Sequence, residues 1–175
     1  HAPARGRRHG LGGQRARRRA GELRARHAAL VGDIGGTNSR FGLVEQGTME
    51  VRDVEVLKND NFSGLEAAIS HYVTKRGIRE LAAAAVDVAA PVDRDVITLT
   101  NRDWTFSAES LREAARARRF RLLNDFEALA WSLPHIAAED LVQIGGTLPA
   151  KPHVKVVLGP GTGLGMAVLA PLPKG

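Results

Sequence analysis

The feature that most constrains the fold is a pattern that occurs twice, 125 residues apart. An apolar run, a glycine-rich turn ending in Gly-Thr and a second apolar run span residues 31–44 and again residues 156–169. Glycine lets a backbone approach a ligand closely and adopt positive φ, so a tight turn can direct its N–H groups at phosphate oxygens. A single turn of this kind is usually only a hairpin. Two related copies favour two hairpins that hold a polyphosphate from both sides.

Hydrophobic periodicity between and beyond these hairpins predicts a mixed α/β sheet. A capping box at Ser63 predicts a helix that Gly77 ends, Ser107 predicts the cap of a helix that runs to about Arg118, and a third helix is predicted over residues 125–133. Strands are predicted over residues 28–34, 40–44, 48–57, 81–90, 96–99, 119–123, 141–144, 154–158 and 164–170.

Composition excludes several classes of protein. A hydrophobic fraction of 43% and a charged fraction of 25% are typical of globular domains. The chain has no cysteine, which excludes disulfides, thiol nucleophiles and cysteine zinc sites and is compatible with the cytoplasm. No run of about 18 apolar residues is present, so no transmembrane helix and no membrane partner are predicted.

The net charge of +6 comes from the amino-terminal end. Residues 1–30 hold nine of the 25 basic residues and one of the 19 acids, which leaves 16 bases and 18 acids for the rest of the chain. We predict that residues 1–27 form a disordered Arg-rich tail, because they contain almost nothing to bury. An Arg-rich module that binds nucleic acid is the alternative, but solvated tails are the commoner case, so nucleic acid is disfavoured as a partner.

The first glycine turn carries an acid, Asp33, where the second has Leu158. A carboxylate beside phosphates is repelled unless a cation lies between them, so Asp33 suggests Mg²⁺ held through water. The alternative is that Asp33 only stabilises its own loop. Thr37 and Thr162 add hydroxyl donors to the two turns.

A second candidate lies at a predicted strand-to-helix junction, where Asn124 and Asp125 precede an apolar helical run. An aspartate in this position is most often a helix N-cap. The functional alternative is a general base at the carboxyl end of a strand, which accepts the proton of a sugar hydroxyl. Asn124 then bonds a neighbouring hydroxyl. Glu127 is interpreted as a solvated helix residue.

Four ordered motifs resemble the bacterial glucokinase family. They are Leu30-Val-Gly-Asp-Ile-Gly-Gly-Thr-Asn-Ser-Arg40, Leu99-Thr-Asn-Arg-Asp-Trp104, Leu122-Leu-Asn-Asp-Phe126 and Gly159-Pro-Gly-Thr-Gly-Leu-Gly165. The resemblance covers about residues 28–170. It implies membership of the hexokinase, Hsp70 and actin-like ATPase superfamily, in which two related domains close on ATP and sugar. The implied fold is a ribonuclease H-like domain over residues 28–134, followed by the opening β-hairpin of a second domain over residues 135–175.

The resemblance also implies functional residues. Asp125 corresponds to the catalytic base, and Asn124 together with Asp125 corresponds to the glucose contacts. The ATP-binding residues implied by the two glycine turns are Gly32, Asp33, Ile34, Gly35, Gly36, Thr37, Gly161, Thr162 and Gly163. Mg²⁺ near Asp33 completes this set.

The activity that the resemblance implies is ATP-dependent phosphorylation of D-glucose at its 6-hydroxyl, in glycolysis and in the cytoplasm. For full-length members of the family, the resemblance is compatible with a homodimer. The resemblance further implies that the family's carboxyl-terminal half is missing from this chain, so we expect weak or no activity from the chain alone. The alternative is a sugar-responsive regulator of the related repressor and kinase group, although the tail lacks the apolar periodicity of a helix-turn-helix.

We expect limited trypsin digestion to remove residues up to about Arg26 and to spare the rest of the chain, because the tail offers nine arginines and no apolar cluster that would protect them. Mass spectrometry of the resistant product measures the cleavage site. Protection of residues 15–19 would contradict the predicted disorder.

Overall fold

The computed structural model describes residues 27–99, 102–147, 153–160 and 164–171. Residues 1–26 of the predicted tail lie outside these ranges. The strands of the described part are β1 (Ala28–Ile34), β2 (Asn38–Glu45), β3 (Val51–Lys58), β4 (Ala83–Val88), β5 (Val96–Thr98), β6 (Thr105–Ser107), β7 (Phe120–Asn124), β8 (Lys155–Pro160) and β9 (Leu164–Leu169). Its helices are α1 (Leu65–Lys75), α2 (Ala108–Ala114) and α3 (Asp125–Ser132), with 3₁₀ turns at Asn59–Asn61, Leu133–His135 and Ala138–Asp140.

A five-stranded mixed sheet in the order β3-β2-β1-β4-β7 forms the centre of the structure. β1, β2 and β3 are antiparallel neighbours joined by short connections, whereas β4 and β7 run parallel to β1. Parallel neighbours require long crossover connections, and these contain α1 and α2. The predicted mixed α/β sheet is confirmed.

One face of the sheet packs against α1 and α2 to form the core. The rings of Phe41 and Tyr72 lie 5.5 Å apart between centroids in this layer. Gly32 makes room for them, because a Cβ atom there would lie 3.0 Å from the Phe41 ring. Burial raises the pKa of Tyr72 to about 12, so its hydroxyl stays protonated and donates to the Asp53 carbonyl oxygen at 2.9 Å.

The predicted caps of the first two helices have different outcomes. Ser107 caps α2 as predicted, since its Oγ accepts from the Ser110 N–H at 3.0 Å and the Ser110 Oγ accepts from the Ser107 N–H at 3.1 Å. The predicted capping box at Ser63 is wrong. Gly64 occupies the cap position of α1 without a side-chain bond, and the Glu66 carboxylate instead accepts from Ser110 Oγ at 2.8 Å. A contact between helices therefore replaces the local one.

The helix predicted to run to about Arg118 ends at Ala114. Arg116 adopts a φ of 53°, in the left-handed region, which no α-helix continues through. Ala117 then pairs with Leu81 as a parallel bridge that leads into β4 and β7. The pairing of the sheet thus stops the helix earlier than its apolar spacing indicates.

The strand predicted over residues 141–144 is absent from the structure. Leu141, Val142 and Ile144 are exposed there. The preceding residues form the 3₁₀ turn Ala138–Asp140. An apolar run needs a neighbouring strand to become part of a sheet, and the periodicity of the run carries no information about that neighbour.

The second predicted hairpin is formed by β8 and β9, which pair antiparallel and pack against α3. Their contact with the helix depends on two glycines that face the Phe126 ring. A Cβ atom would lie 2.5 Å from Phe126 at Gly159 and 1.9 Å from it at Gly165. Both distances are shorter than any non-bonded carbon contact, so a side chain at either position would push the hairpin off the helix.

We therefore expect Gly165→Ala to loosen the hairpin, at a cost of about 1–3 kcal/mol, which is typical of overpacked contacts. Hydrogen exchange of the β8 and β9 amides measures the change, and it should become faster in the variant. Met166→Ala is the matched control, because Met166 lies next to Gly165 on the exposed face of β9. If the β8 and β9 amides exchange equally fast in both variants, the close packing of Gly165 on the Phe126 ring is contradicted.

Candidate active site

The carboxyl ends of β1, β4 and β7 meet at one edge of the sheet, because these three strands are parallel. Residues 35–37, here called the glycine turn, follow β1 at this edge. Asp125 begins α3 directly after β7 at the same edge. Ligands of open α/β sheets bind outside the carboxyl ends of the strands. The structure therefore brings the predicted phosphate turn and the predicted base to one edge.

The predicted ATP-binding stretch divides between two environments. Gly32 and Ile34 are buried on the core face of β1, whereas Asp33 lies on the opposite face and is half-exposed. The glycine turn is closed by a hydrogen bond from the Gly35 N–H to the Asn38 carbonyl oxygen at 3.0 Å. Only Asp33 and the glycine turn are therefore accessible to a ligand, and Gly32 and Ile34 support them from within the core.

Asn124, and not Asp125, is the N-cap of α3. Its Oδ1 accepts from the Phe126 N–H at 3.0 Å, and its Nδ2 donates to the Ala90 carbonyl oxygen at 3.2 Å. Asp125 also accepts from the Phe126 N–H, through Oδ1 at 2.9 Å. Since Asn124 already caps the helix, Asp125 is not required for capping, and no described residue bonds its Oδ2.

A third carboxyl group, that of Asp87, lies beside Asp33 and Asp125. Sequence reasoning missed this residue. Asp87 is opposite Asp33 in the register of β1 and β4, with its side chain on the same face. Burial, together with the smaller effect of the nearby charges of Asp33 and Asp125, raises the pKa of Asp87 to about 7. The available signal was a single acid inside an otherwise apolar strand, which is rarely placed there without a partner or a role.

Arg40 supplies a positive charge beside Asp33. Its Nη1 donates to Asp33 Oδ2 at 2.8 Å across the β1–β2 pair. An open cavity of about 320 Å³ lies over the same face of the sheet, with Asp33, Arg40 and Asp87 in its wall together with Trp131 of α3. The wall thus holds the Asp33 and Asp87 carboxyl groups beside the Arg40 guanidinium, and the Asp125 carboxylate is near enough to Asp87 to raise its pKa.

This charge distribution fits a divalent cation. Carboxylate oxygens and water are the ligands that Mg²⁺ prefers, and it usually keeps several of its waters. In the described ranges no group of three or more His, Cys, Asp or Glu side chains is arranged to enclose a metal ion. A cation at Asp33 would therefore rest on water and on a ligand such as a phosphate.

The second predicted phosphate turn, with Gly161, Thr162 and Gly163, lies outside the described residues. β8 and β9 on either side of it are paired up to Pro160 and Leu164. None of the described helices has the length and apolar character needed to cross a membrane.

Comparison with known proteins identifies the family. A family model described as Glucokinase matches residues 30–175. The chain belongs to the glucokinase family.

Two curated relatives illustrate the extent of the match. A glucokinase of Marinobacter nauticus is 39% identical over 153 residues, which cover 87% of this chain and 48% of that protein. A glucokinase of Ralstonia nicotianae is 43% identical over 153 residues, with coverage of 83% and 44%. This glucokinase-family chain thus spans about half the length of the curated relatives it matches.

Solved structures agree with this family. A glucokinase from an Antarctic psychrotroph superposes with a TM-score of 0.73 at 31% identity, covering 82% of this chain and 46% of that one. A ROK family glucokinase from Streptomyces griseus, solved with glucose and AMPPNP, superposes with a TM-score of 0.58 at 21% identity, covering 82% and 44%. The latter shows the fold alone. The predicted actin-like ATPase fold is confirmed.

The raised pKa of Asp87 predicts that the free energy of unfolding decreases as the pH rises. The folded chain holds the Asp87 proton up to about pH 7, whereas the unfolded chain releases it near pH 4. The contribution of this proton to the free energy of unfolding is therefore complete below about pH 4 and is lost as the pH rises through about 7. Because the carboxyl is partly exposed and water screens its repulsion, we expect a loss of roughly 1–2 kcal/mol.

Urea unfolding at pH 5 and pH 8 measures this difference, and Asp87→Asn should abolish most of it. Asp93→Asn is the control, because Asp93 is exposed. If the free energy of unfolding changes equally between pH 5 and pH 8 in the parent chain and in Asp87→Asn, the assignment is contradicted.

Proposed function

We propose that this chain carries the phosphate-binding turn and the catalytic base of an ATP-dependent glucokinase. The reaction transfers the γ-phosphoryl group of ATP to the 6-hydroxyl of D-glucose. The observation that carries the proposal is the position of Asp125, which starts α3 at the same edge of the sheet as the glycine turn while Asn124 caps the helix. The family membership and the complex of the Streptomyces griseus enzyme with glucose and AMPPNP support the choice of substrates.

The chemistry assigned to Asp125 is general-base catalysis. Its carboxylate accepts the proton of the 6-hydroxyl as that oxygen bonds to the γ-phosphorus, and the bond from the γ-phosphorus to the bridging oxygen of ADP breaks. Phosphoryl transfer of this kind depends on positioning and on stabilisation of charge, and it needs no covalent enzyme intermediate. Oδ2 of Asp125, which no described residue bonds, provides the acceptor.

Asn124 is proposed as a glucose contact. Its amide nitrogen has two N–H groups, and the structure uses one of them for the Ala90 carbonyl oxygen. The second is available to a sugar hydroxyl next to the one that reacts. A side chain whose other bonds are already made loses little conformational freedom on binding, which favours orientation of the sugar.

The phosphates of ATP are assigned to the glycine turn, to its neighbour Asp33, and to the second turn with Gly161, Thr162 and Gly163. Asp33 would hold Mg²⁺ through water, with Arg40 beside it. When bound, Mg²⁺ neutralises the charge of the phosphates and of the transferred group. We place the reaction in the cytoplasm at the entry to glycolysis, in a homodimer of the complete enzyme.

Asp125→Asn tests the assignment of the base. The substitution is made in this chain extended with the carboxyl-terminal half of the Marinobacter nauticus glucokinase, so that both halves of the family are present. Since Asn124 caps α3, we expect stability and glucose affinity to be unchanged while kcat falls about 10²–10⁴-fold, the range typical of general bases. A coupled assay for glucose 6-phosphate measures kcat.

Glu127→Gln is the matched control, because Glu127 lies on the same helix and pairs with Arg121 at the surface. This variant should keep the parent kcat. An Asp125→Asn variant with nearly normal kcat would contradict the proposed role. Absence of glucose phosphorylation in the extended parent would contradict the proposed function itself.

A further inference from the structure

All three carbonyl groups of the glycine turn are bound by one buried residue. Asn59 is fully buried in the 3₁₀ turn after β3. Its Nδ2 donates to the carbonyl oxygens of Gly35 at 2.8 Å and of Gly36 at 3.2 Å, and its backbone N–H donates to that of Thr37 at 3.0 Å. Its Oδ1 accepts from Ser39 Oγ at 2.7 Å, which orients the amide. Every polar atom of this buried side chain is therefore bonded.

A second residue binds the turn from another direction. Arg102 lies in the connection between β5 and β6, and its Nε donates to the Gly36 carbonyl oxygen at 3.2 Å. Its Nη2 forms an ion pair with Asp60, which follows Asn59 in the 3₁₀ turn, and its guanidinium lies over the Trp104 ring at 5.1 Å. Arg102 is thus held at three points while it contacts the turn.

These bonds determine where the N–H groups of the turn point. In a trans peptide the C=O of one residue and the N–H of the next point in opposite directions. With the Gly35 and Gly36 carbonyls held by Asn59 and Arg102, the N–H groups of Gly36 and Thr37 point away from both. No described residue accepts a hydrogen bond from these two N–H groups.

We propose that Asn59 and Arg102 are positioning residues of the phosphate site, which hold the carbonyl side of the glycine turn so that the Gly36 and Thr37 amides face a ligand phosphate. This inference rests on the proposed function, in which the turn binds the phosphates of ATP. An amide that is oriented before binding loses less entropy when it donates to a phosphate. Neither residue touches the phosphate itself, so each acts through the turn.

Arg102 is the better residue to test, because Asn59 is fully buried and its replacement endangers the fold. The variants are Arg102→Met, which removes both hydrogen bonds, and Arg102→Lys, in which an ammonium group replaces one of them. Asp60→Asn is a second route, since among the described residues the exposed Asp60 side chain is linked to the turn through Arg102. Arg118→Met is the matched control, because Arg118 pairs with Glu80 at the opposite end of the parallel strands.

The experiment titrates the 175-residue chain with magnesium tripolyphosphate and follows the ¹H–¹⁵N signals of Gly36 and Thr37. In the parent both signals should move on titration. Loss of a hydrogen bond to a charged donor corresponds to about a tenfold loss of affinity. We expect a loss of this size in the tripolyphosphate affinity of Arg102→Met, and smaller losses for Arg102→Lys and Asp60→Asn. The two signals should also shift in the ligand-free Arg102→Met chain, whereas Arg118→Met should match the parent throughout.

The outcomes separate the two proposals. If the parent binds and Arg102→Met binds equally well with unchanged amide signals, the positioning role is contradicted while the proposed function stands. If the parent itself does not bind tripolyphosphate, the proposed function of the turn is contradicted and the positioning role with it. If Arg102→Met melts at a lower temperature than the Arg118→Met control, Arg102→Lys and Asp60→Asn decide instead. If both of these variants bind tripolyphosphate as tightly as the parent does, the positioning role is contradicted.

Discussion

The parallel register of β1, β4 and β7 is the constraint on which the candidate site depends. Val88 lies between Ile34 and Asn124 in this register, so the glycine turn and Asp125 begin at the same edge. Because side chains alternate along a strand, a slip of one residue would turn Asp87 into the core and expose Val86. The burial of the apolar face therefore also determines where the polar residues lie.

The same register brings together carboxylates that destabilise the folded chain. Asp33 and Asp87 face each other on neighbouring strands, and burial with like charges raises the pKa of Asp87. Arg40 offsets part of this repulsion through its bond to Asp33. Groups with strongly shifted pKa values cluster at functional sites, where a ligand or a cation compensates for their charge. The cavity beside them is the place where a compensating ligand has access.

Local sequence signals succeeded where the interaction that forms an element is itself local. The hairpins, the Ser107 cap and the helix that starts at Asp125 all depend on neighbouring residues. The predictions failed where a distant partner competed. Glu66 bonds to Ser110 in another helix instead of closing a capping box, and α2 stops early because Ala117 pairs with Leu81.

The sequence by itself located the candidate site, because the glycine turn, Asp33 and Asp125 lie in short motifs that resemble those of the glucokinase family. Only the tertiary structure decided which residues support that site. Asn59 contacts Gly35 across 24 residues of chain, and Arg102 contacts Gly36 across 66. Asp87 meets Asp33 only because two strands pair in parallel. Such contacts depend on the path of the whole chain, and no local spacing of residues encodes them.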